Sequence, residues 1–519
     1  MGKHNGSFVG SSAGVAPAPG SINNHSVLKA TILNILEPIS NILKKVFSSG
    51  IFSNMLKHSI VTPCFKKGDK SDINNFRPIS VNTNISKIFE KAIANRLNNF
   101  INKFSIICKE QNGFVEGGST TNAIFDVTNK LYNAWDKKEP TVALLLDLSK
   151  AFDCVSHWRL IEKLELYGIR GITLDLFKSY LTDRVQQVQI KCKDKYGKIN
   201  VYKSQGQIVS RGVPQGSILG PILFILYVND FSTSISDKCY QFADDICIIA
   251  EMKTFCELTH KLNNILLLVS NWFEKNELVM NVAKTQVFRV GNYDNTNQNI
   301  FLNNNNNSAL SLQASVKFLG ILLDNKMTYK NHISIVLNKL GKSYYILCNL
   351  KHILCRETLL ITYHSYVESH LTYGIIFWGN STNFIDVFKR QKKIVRIIAG
   401  VHPRHSCRLL FKDLNILTAY SIFILNCILF YKKNEHYFSK RNTIHYHNTR
   451  NRDNINFKNS NLHITLNSPY NIIVKICNKL PYHILNLKYN KLKSVLKNIL
   501  LNKVIYSLEE YYSINFNEF

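Results

Sequence analysis

The chain has 519 residues, more than one ordinary domain holds, and 45% of them are hydrophobic, enough for sizeable cores. Lysine and arginine number 64 against 35 aspartates and glutamates, a net charge of +29, with a pI near 9.5. This excludes a single small domain and points to a polyanionic partner, either nucleic acid or an acidic membrane surface.

The start, MGKHNGSFVGSSAGVAPAPG, lacks the apolar core of a secretory signal, and Gly6 stands where a myristoylation motif wants Ser or Thr. Residues 1–26 are read as a disordered tail. From His25 to about Phe47, Leu28, Ile32, Ile35, Leu36 and Ile39 recur at helical spacing, and Pro38 is expected to break the helix. HSIVTPCFKKGDKSDINNFRPISV reads as two extended segments around a basic turn at Gly68, the second held out of helix by Pro78. A helix through KIFEKAIANRLNNFI follows, and the Gly-rich NGFVEGGSTTNAI opens another, capped by Ser119 or Thr120.

In TVALLLDLSKAFDCVSH the run Val142 to Leu146 predicts a strand buried on both faces, and Asp147 follows where it ends, aimed at a cleft. Asp153 is read as the cap of the helix around HWRLIEKLELYG. In SRGVPQGSILGPILFILYVNDF, Gly212, Gly216 and Gly220 around Pro214 and Gln215 allow backbone to approach a ligand, and the apolar run after Pro221 reads as a supporting helix. YQFADDICIIA then sets Asp244 beside Asp245 amid strand-forming residues. In a strand one of the two must face the apolar side, so the pair is either a loop tip or a site whose charge is compensated. Three carboxylates on neighbouring strand ends of so basic a protein favour the second. Mg²⁺ takes oxygen ligands, needs only one or two carboxylates plus substrate phosphates, and would offset the cost of burial.

Farther on, NYDNTNQNIFLNNNNNS, from Asn292 to Ser308, reads as a disordered polar insertion. In IDVFKRQKKIVRIIAG the apolar Ile385, Phe388, Val395 and Ile398 define one helix face, and Lys389, Arg390, Lys392, Lys393 and Arg396 a basic one able to track phosphates. The longest apolar run, Thr418 to Tyr431, is too short to span a membrane and contains Asn426, so a buried helix is expected. The twelve cysteines form no C-x-x-C pair and are read as reduced. Cys348, His352 and Cys355, followed later by His402, His405 and Cys407, lack zinc-knuckle spacing; the first three are expected to pack on one helix face.

FRPIS, LLLDLSKAFDCVSH, RGVPQGSILGPILF, FADD, NELVMNVAKTQV and VKFLGILLDNKMTYKNHI, in that order, resemble the motifs of reverse transcriptases of non-LTR (LINE-like) retrotransposons. The likeness continues through RETLLITYHSYVESHLTYGIIFWG and VFKRQKKIVRIIAG, and more faintly through NTRNR and SPYNIIVKICNKLP. It implies an α+β right-hand polymerase of fingers, a palm with an antiparallel sheet and a helical thumb, in which Asp147 and Asp244 hold two Mg²⁺ ions, with Mn²⁺ as a substitute, and Asp245 assists. By the same resemblance Lys66, Lys67 and Arg77 would grip the triphosphate, Phe152 would lie under the sugar, and Gln215 would support nucleotide and template. Lys284 would protonate pyrophosphate, and the turn at Gly320 in FLGILLD would place the primer end. RNA template, DNA primer and deoxynucleoside triphosphates are the implied partners, with no membrane role; nuclear and cytoplasmic work is expected of such an element.

Two positions depart from the family's pattern: Val115 replaces a basic residue after NGF, and Tyr329 a common Trp. The endonuclease such elements usually encode is expected from another chain, or lost. The expected organisation is fingers and palm over 27–330, thumb over 331–435 and a basic helical extension over 436–519. The alternatives to an active polymerase are a decayed nucleic-acid-binding relic and a metal-dependent nuclease, the latter having no need of nucleotide-grip residues.

Overall fold

A computed structural model describes residues 25–235, 237–291, 312–441 and 453–516. The tail before residue 25, the polar stretch from Asn292 to Ser308 and NTRNR lie outside the described residues. The basic hairpin forms as expected: β1 (His58–Phe65) runs antiparallel to β2 (Phe76–Asn82), from Ser59 opposite Asn82 to Phe65 opposite Phe76. On its other edge β1 pairs parallel with β4 (Arg184–Lys193), which carries β5 (Ile199–Lys203) and β6 (Gln207–Val209). This sheet lies where the fingers are expected.

The second sheet has the order β10-β9-β3-β8-β7. Its centre, β3 (Thr141–Leu146), lies antiparallel to both β8 (Asp245–Glu251) and β9 (Gln286–Arg289); β7 (Lys238–Phe242) and the short β10 (Leu312–Gln313) form the edges. Because side chains alternate along a strand, the run Val142 to Leu146 feeds two cores. Val142, Leu144 and Leu146, with Ile246 and Ile248, pack with residues of α2 (Asn84–Phe104), α7 (Leu219–Tyr227) and α8 (Phe255–Lys275). Ala143, with Cys247, Ile249 and Phe288, packs with α3 (Thr120–Asp136) and the helical C-terminal half. Ser119 caps α3, its hydroxyl accepting from the Asn122 N–H.

Three expectations are corrected. The first helix, α1 (His25–Ser49), continues through Pro38. Ile39, Leu43, Val46 and Phe47 anchor its second half in the core, and Pro38 is exposed, so the carbonyl it leaves without a donor faces solvent. The stripe of Phe384–Ala399 consists of Phe384, Val387, Phe388, Gln391, Ile394, Val395 and Ile398, whereas Ile385 is 39% exposed. Finally, α9 (Lys330–Leu350) ends before His352, so Cys348, His352 and Cys355 share no helix face. All twelve cysteines are free, and the apolar run becomes the buried helix Ala419–Lys433. No helix among the described residues is long and apolar enough to cross a membrane.

The C-terminal half closes over α3. Ile333 of α9, Val395, Phe423, Ile473 and Leu496 share one core with Phe125 of α3. Polar contacts stitch the same helix down its length: Asn122 to Asn434 at 3.0 Å, the Tyr437 hydroxyl to Asp126 at 2.9 Å and Lys458 to Asn129 at 2.8 Å. At the end, Asp136 accepts from the Asn461 and Leu462 N–H groups and the Thr465 hydroxyl.

Burial pushes the Asp126 carboxyl up to about 6, against the Tyr437 hydrogen bond and the nearby His436; Tyr240 is the other titratable group facing it. Between the unfolded value and about 6 the folded chain keeps a proton that the unfolded chain has lost, so this group makes stability fall as pH rises through that window and then level off. Asp126→Asn keeps an acceptor for Tyr437 and removes the charge. The variant should match wild type near pH 4 and exceed it by about 2 kcal/mol near pH 7; urea midpoints at the two pH values measure this, and an equal gain at both would refute it.

Candidate active site

Phe242 pairs directly with Asp245, so β7 and β8 are joined by the two-residue turn Ala243–Asp244. Ala243 has φ +57°, a left-handed conformation that alanine seldom adopts, and its neighbours must hold it there. Asp147 follows one step after the Leu146–Ile246 pair, which brings it beside the start of β8. The acidic dipeptide is therefore both a loop tip and part of a carboxylate cluster. Burial, then the charges of Asp244 and Asp147, push the Asp245 carboxyl up to about 6. Asp244 is raised as well, first by burial and further by Asp147, while Arg77 and Lys66 act in the opposite direction.

Those two cations come from the β1–β2 hairpin of the first sheet. Arg77 sits on β2 opposite Cys64, and Lys66 starts the turn, its N–H bonded to the Asn75 carbonyl at 2.8 Å. Lys67 is exposed in the same turn. The segment NELVMNVAKTQV returns along the end of β3, with the Asn281 N–H on the Asp147 carbonyl at 2.8 Å and the Ser149 N–H on Val279 at 2.9 Å. It delivers Lys284 Nζ to 2.9 Å from Asp147 Oδ2. Among the described residues no group of three or more His, Cys, Asp or Glu could hold a metal ion as it stands. The donor set is nonetheless all oxygen, and a hard divalent ion asks for one or two carboxylates with phosphate oxygens completing its shell, so Asp147 with Asp244 or Asp245 fits that requirement.

The loop before α7 needs its glycines. Gly212 has φ +85°, and a Cβ there would meet the Asp153 backbone at 2.9 Å; Gly216 has φ +117°, and its Cβ would lie 2.5 Å from the Ser80 carbonyl. The loop is bonded to both sheets' surroundings: Val213 N–H to the Phe152 carbonyl at 2.8 Å, and Ser80 N–H to the Gln215 carbonyl at 2.7 Å. Asp153 departs from expectation. It caps nothing, since α5 (His157–Leu166) starts after Ser156 without a side-chain cap, and Asp153 instead lies in α4 (Ala151–Cys154). Its Oδ1 accepts from Gln215 Nε2 at 3.0 Å, which fixes that amide's orientation. Phe152, half-buried, stacks on Phe224 of α7 at 4.5 Å, with the edge of Phe114 at 6.5 Å.

The turn of β11 (Ser315–Phe318) and β12 (Ile321–Asp324) holds Gly320 at φ +86°, and a Cβ there would strike the Tyr373 ring at 3.1 Å. Of the five basic residues on Phe384–Ala399, four are engaged within the protein. Lys389 pairs with Asp386 at 3.1 Å, Arg390 lies over Tyr344, Lys392 over Phe388 and Tyr506, and Arg396 donates to the His405 carbonyl at 2.7 Å. Lys393 is exposed.

Gln111 was missed by the sequence reading, which found no charge or periodicity to mark it. Its Oε1 accepts from the Gly113 N–H at 2.8 Å and the Ala243 N–H at 3.0 Å, while its backbone bridges Gln241 of β7. Gly113 must be glycine, because a Cβ would come within 2.4 Å of the Ala243 nitrogen. This is the support that holds the turn carrying Asp244.

Residues 65–323 match the family model for reverse transcriptase (RNA-dependent DNA polymerase). The chain is 26% identical over 419 residues to the probable RNA-directed DNA polymerase from transposon BS of Drosophila melanogaster, an alignment covering 76% of this chain and 44% of the relative. It is 26% identical over 400 residues to the RNA-directed DNA polymerase from mobile element jockey of the same organism, covering 73% and 42%. The chain thus spans less than half the length of these relatives. Among solved structures, apo telomerase from Candida tropicalis aligns over 82% of this chain and 75% of that one at 13% identity and a TM-score of 0.37, too loose a likeness to build on. The chain belongs to the reverse transcriptases. Within that class its relatives come from non-LTR, LINE-like transposons.

Gln111→Met keeps the volume and removes the acceptor, leaving two buried N–H groups unpaired. The expected loss is about 2 kcal/mol, read from the denaturant midpoint, with faster amide exchange at Ala243. An unchanged exchange rate there would show that the turn is held by something else.

Proposed function

We propose that the chain is an RNA-directed DNA polymerase that extends a DNA primer on an RNA template for a non-LTR retrotransposon. The observation that carries this is the meeting of Asp147, Asp244 and Asp245 with Lys66 and Arg77, carboxylates from one sheet and cations from another. Such a gap accepts a magnesium-bound triphosphate: the carboxylates take the metal side and the fingers cations the phosphate side. Two divalent ions, when bound, would stabilise the attacking 3′-oxygen and the leaving pyrophosphate.

Asp147 and Asp244 are the proposed metal ligands, with Asp245 in support. Lys66, Lys67 and Arg77 bind the phosphates. Lys284 is the proposed proton donor to pyrophosphate; its resting ion pair with Asp147 must open for that, as a metal occupying the carboxylate would require. Gln215, oriented by Asp153, leaves its Oε1 for the nucleotide or template. Gly320 marks the primer turn, and Lys389, Arg390, Lys392, Lys393 and Arg396 the duplex side of the thumb, where those already engaged must exchange partners to reach phosphate. The relic reading, to which Val115 points, predicts duplex binding without extension.

Primer extension by the purified chain on poly(rA) with Mg²⁺ tests the proposal. Asp147→Asn or Asp244→Asn should lower synthesis by about a thousandfold or more and leave template-primer affinity largely intact. Wild-type extension by either variant would sink the assignment. For Phe152→Val, discrimination against ribonucleotides should fall by about 1–3 kcal/mol, because the ring fills the volume a 2′-hydroxyl must occupy. Phe152 also packs on Phe224, so a purely structural role predicts a lower Tm and equal losses with both sugars; paired ribo and deoxy kinetics beside a melting curve separate the two.

A further inference from the structure

Glu90 of α2 is a carboxylate with no exposed surface, and what surrounds it is a set of neutral donors. Its Oε1 accepts from Asn82 Nδ2 at 2.9 Å, the Tyr180 hydroxyl at 3.4 Å and the Ser86 hydroxyl at 3.5 Å. Its Oε2 accepts from the Ile218 N–H at 2.6 Å. A buried carboxylate is costly unless its lone pairs are used, and the shortest of these bonds goes to the loop that carries Gln215, three residues away.

That loop also lies against the end of β2. Ser80 donates its N–H to the Gln215 carbonyl at 2.7 Å, and the Ser80 carbonyl presses on Gly216 so closely that no Cβ fits. On the palm side, Asp153 holds the Gln215 amide. Residues 212–218 are thus gripped from two directions, and Glu90 is the deepest attachment on the fingers side.

We infer that Glu90 is a positioning residue, latching α2 to this loop so that the Gln215 side chain is presented in one orientation to the incoming nucleotide. The inference rests on the polymerase reading for Gln215, but the latch itself is a matter of geometry. It depends on reach and on an acceptor oxygen rather than on charge. Glu90→Gln keeps the reach: its carbonyl can serve Ile218 while its amide donates to Asn82, whose Oδ1 has no partner and can turn to accept. Glu90→Asp keeps the charge and withdraws the carboxylate by about 1.5 Å, one methylene. Glu90→Met keeps length and volume and has no acceptor.

The test compares the three variants by amide exchange over residues 211–220, by KM for deoxynucleotide and by template-primer affinity, with melting curves to confirm folding. Exchange should quicken in Glu90→Asp and Glu90→Met and match wild type in Glu90→Gln. KM should rise about tenfold in the first two and by no more than about threefold in Gln, with duplex affinity within about twofold throughout. Either outcome overturns the inference: Glu90→Gln as impaired as Glu90→Asp, which would make charge the essential property, or unchanged exchange and KM in folded Glu90→Met. If the wild-type chain extends no primer, the polymerase reading fails by itself, and the exchange comparison still decides the latch.

Discussion

Negative charge held at the edge of a doubly covered sheet is the constraint on which the site depends. β3 is apolar on both faces because two cores need it, so the first place it can present a carboxylate is just past its end, at Asp147. The neighbouring hairpin puts Asp244 and Asp245 at the same edge, where Asp147 adds its charge to theirs; Asp244 is half-buried and Asp245 remains open to solvent. Lys284 answers part of that charge from the palm, and Lys66 and Arg77 answer part of it from across the gap. A cation bound between these carboxylates would offset the repulsion that remains, in keeping with the proposed metal site.

The supporting parts are concerned with orientation rather than with charge. Gln111 fixes the backbone beneath Asp244, Asp153 fixes the amide of Gln215, and Phe224 fixes the ring of Phe152. Each prevents a rotation. Preorganisation of this kind matters because reacting groups that must first find their places give up most of the advantage of proximity.

Much of this was legible in the sequence where a local pattern sufficed. The unbroken run before Asp147, the turn chemistry of the basic hairpin and the apolar stretch at Thr418 to Tyr431 each specify an element by themselves. What was not legible are polar residues whose partners are remote. Gln111 bonds to Ala243, Asp153 to Gln215 and Tyr437 to Asp126, and nothing near any of them announces it. Asp153 misled for a definite reason: an acid just before a helix usually caps it, and here a tertiary hydrogen bond prevailed. Pro38 misled because the helix is anchored beyond it, and Ile385 because helical spacing also admits a position at the margin of the buried stripe.

The stitching of α3 to segments more than three hundred residues later has a consequence for how the protein is made. Synthesis on the ribosome delivers α3 and β3 early, at a rate of roughly 5–20 residues per second. Asn434, Tyr437 and Lys458, which finish the cover over that side, emerge more than three hundred residues later. For tens of seconds the nascent chain therefore carries Ile124, Phe125 and Leu131 uncovered, a greasy face beside a half-built sheet. Until the later segments arrive, that face is open to association with other chains.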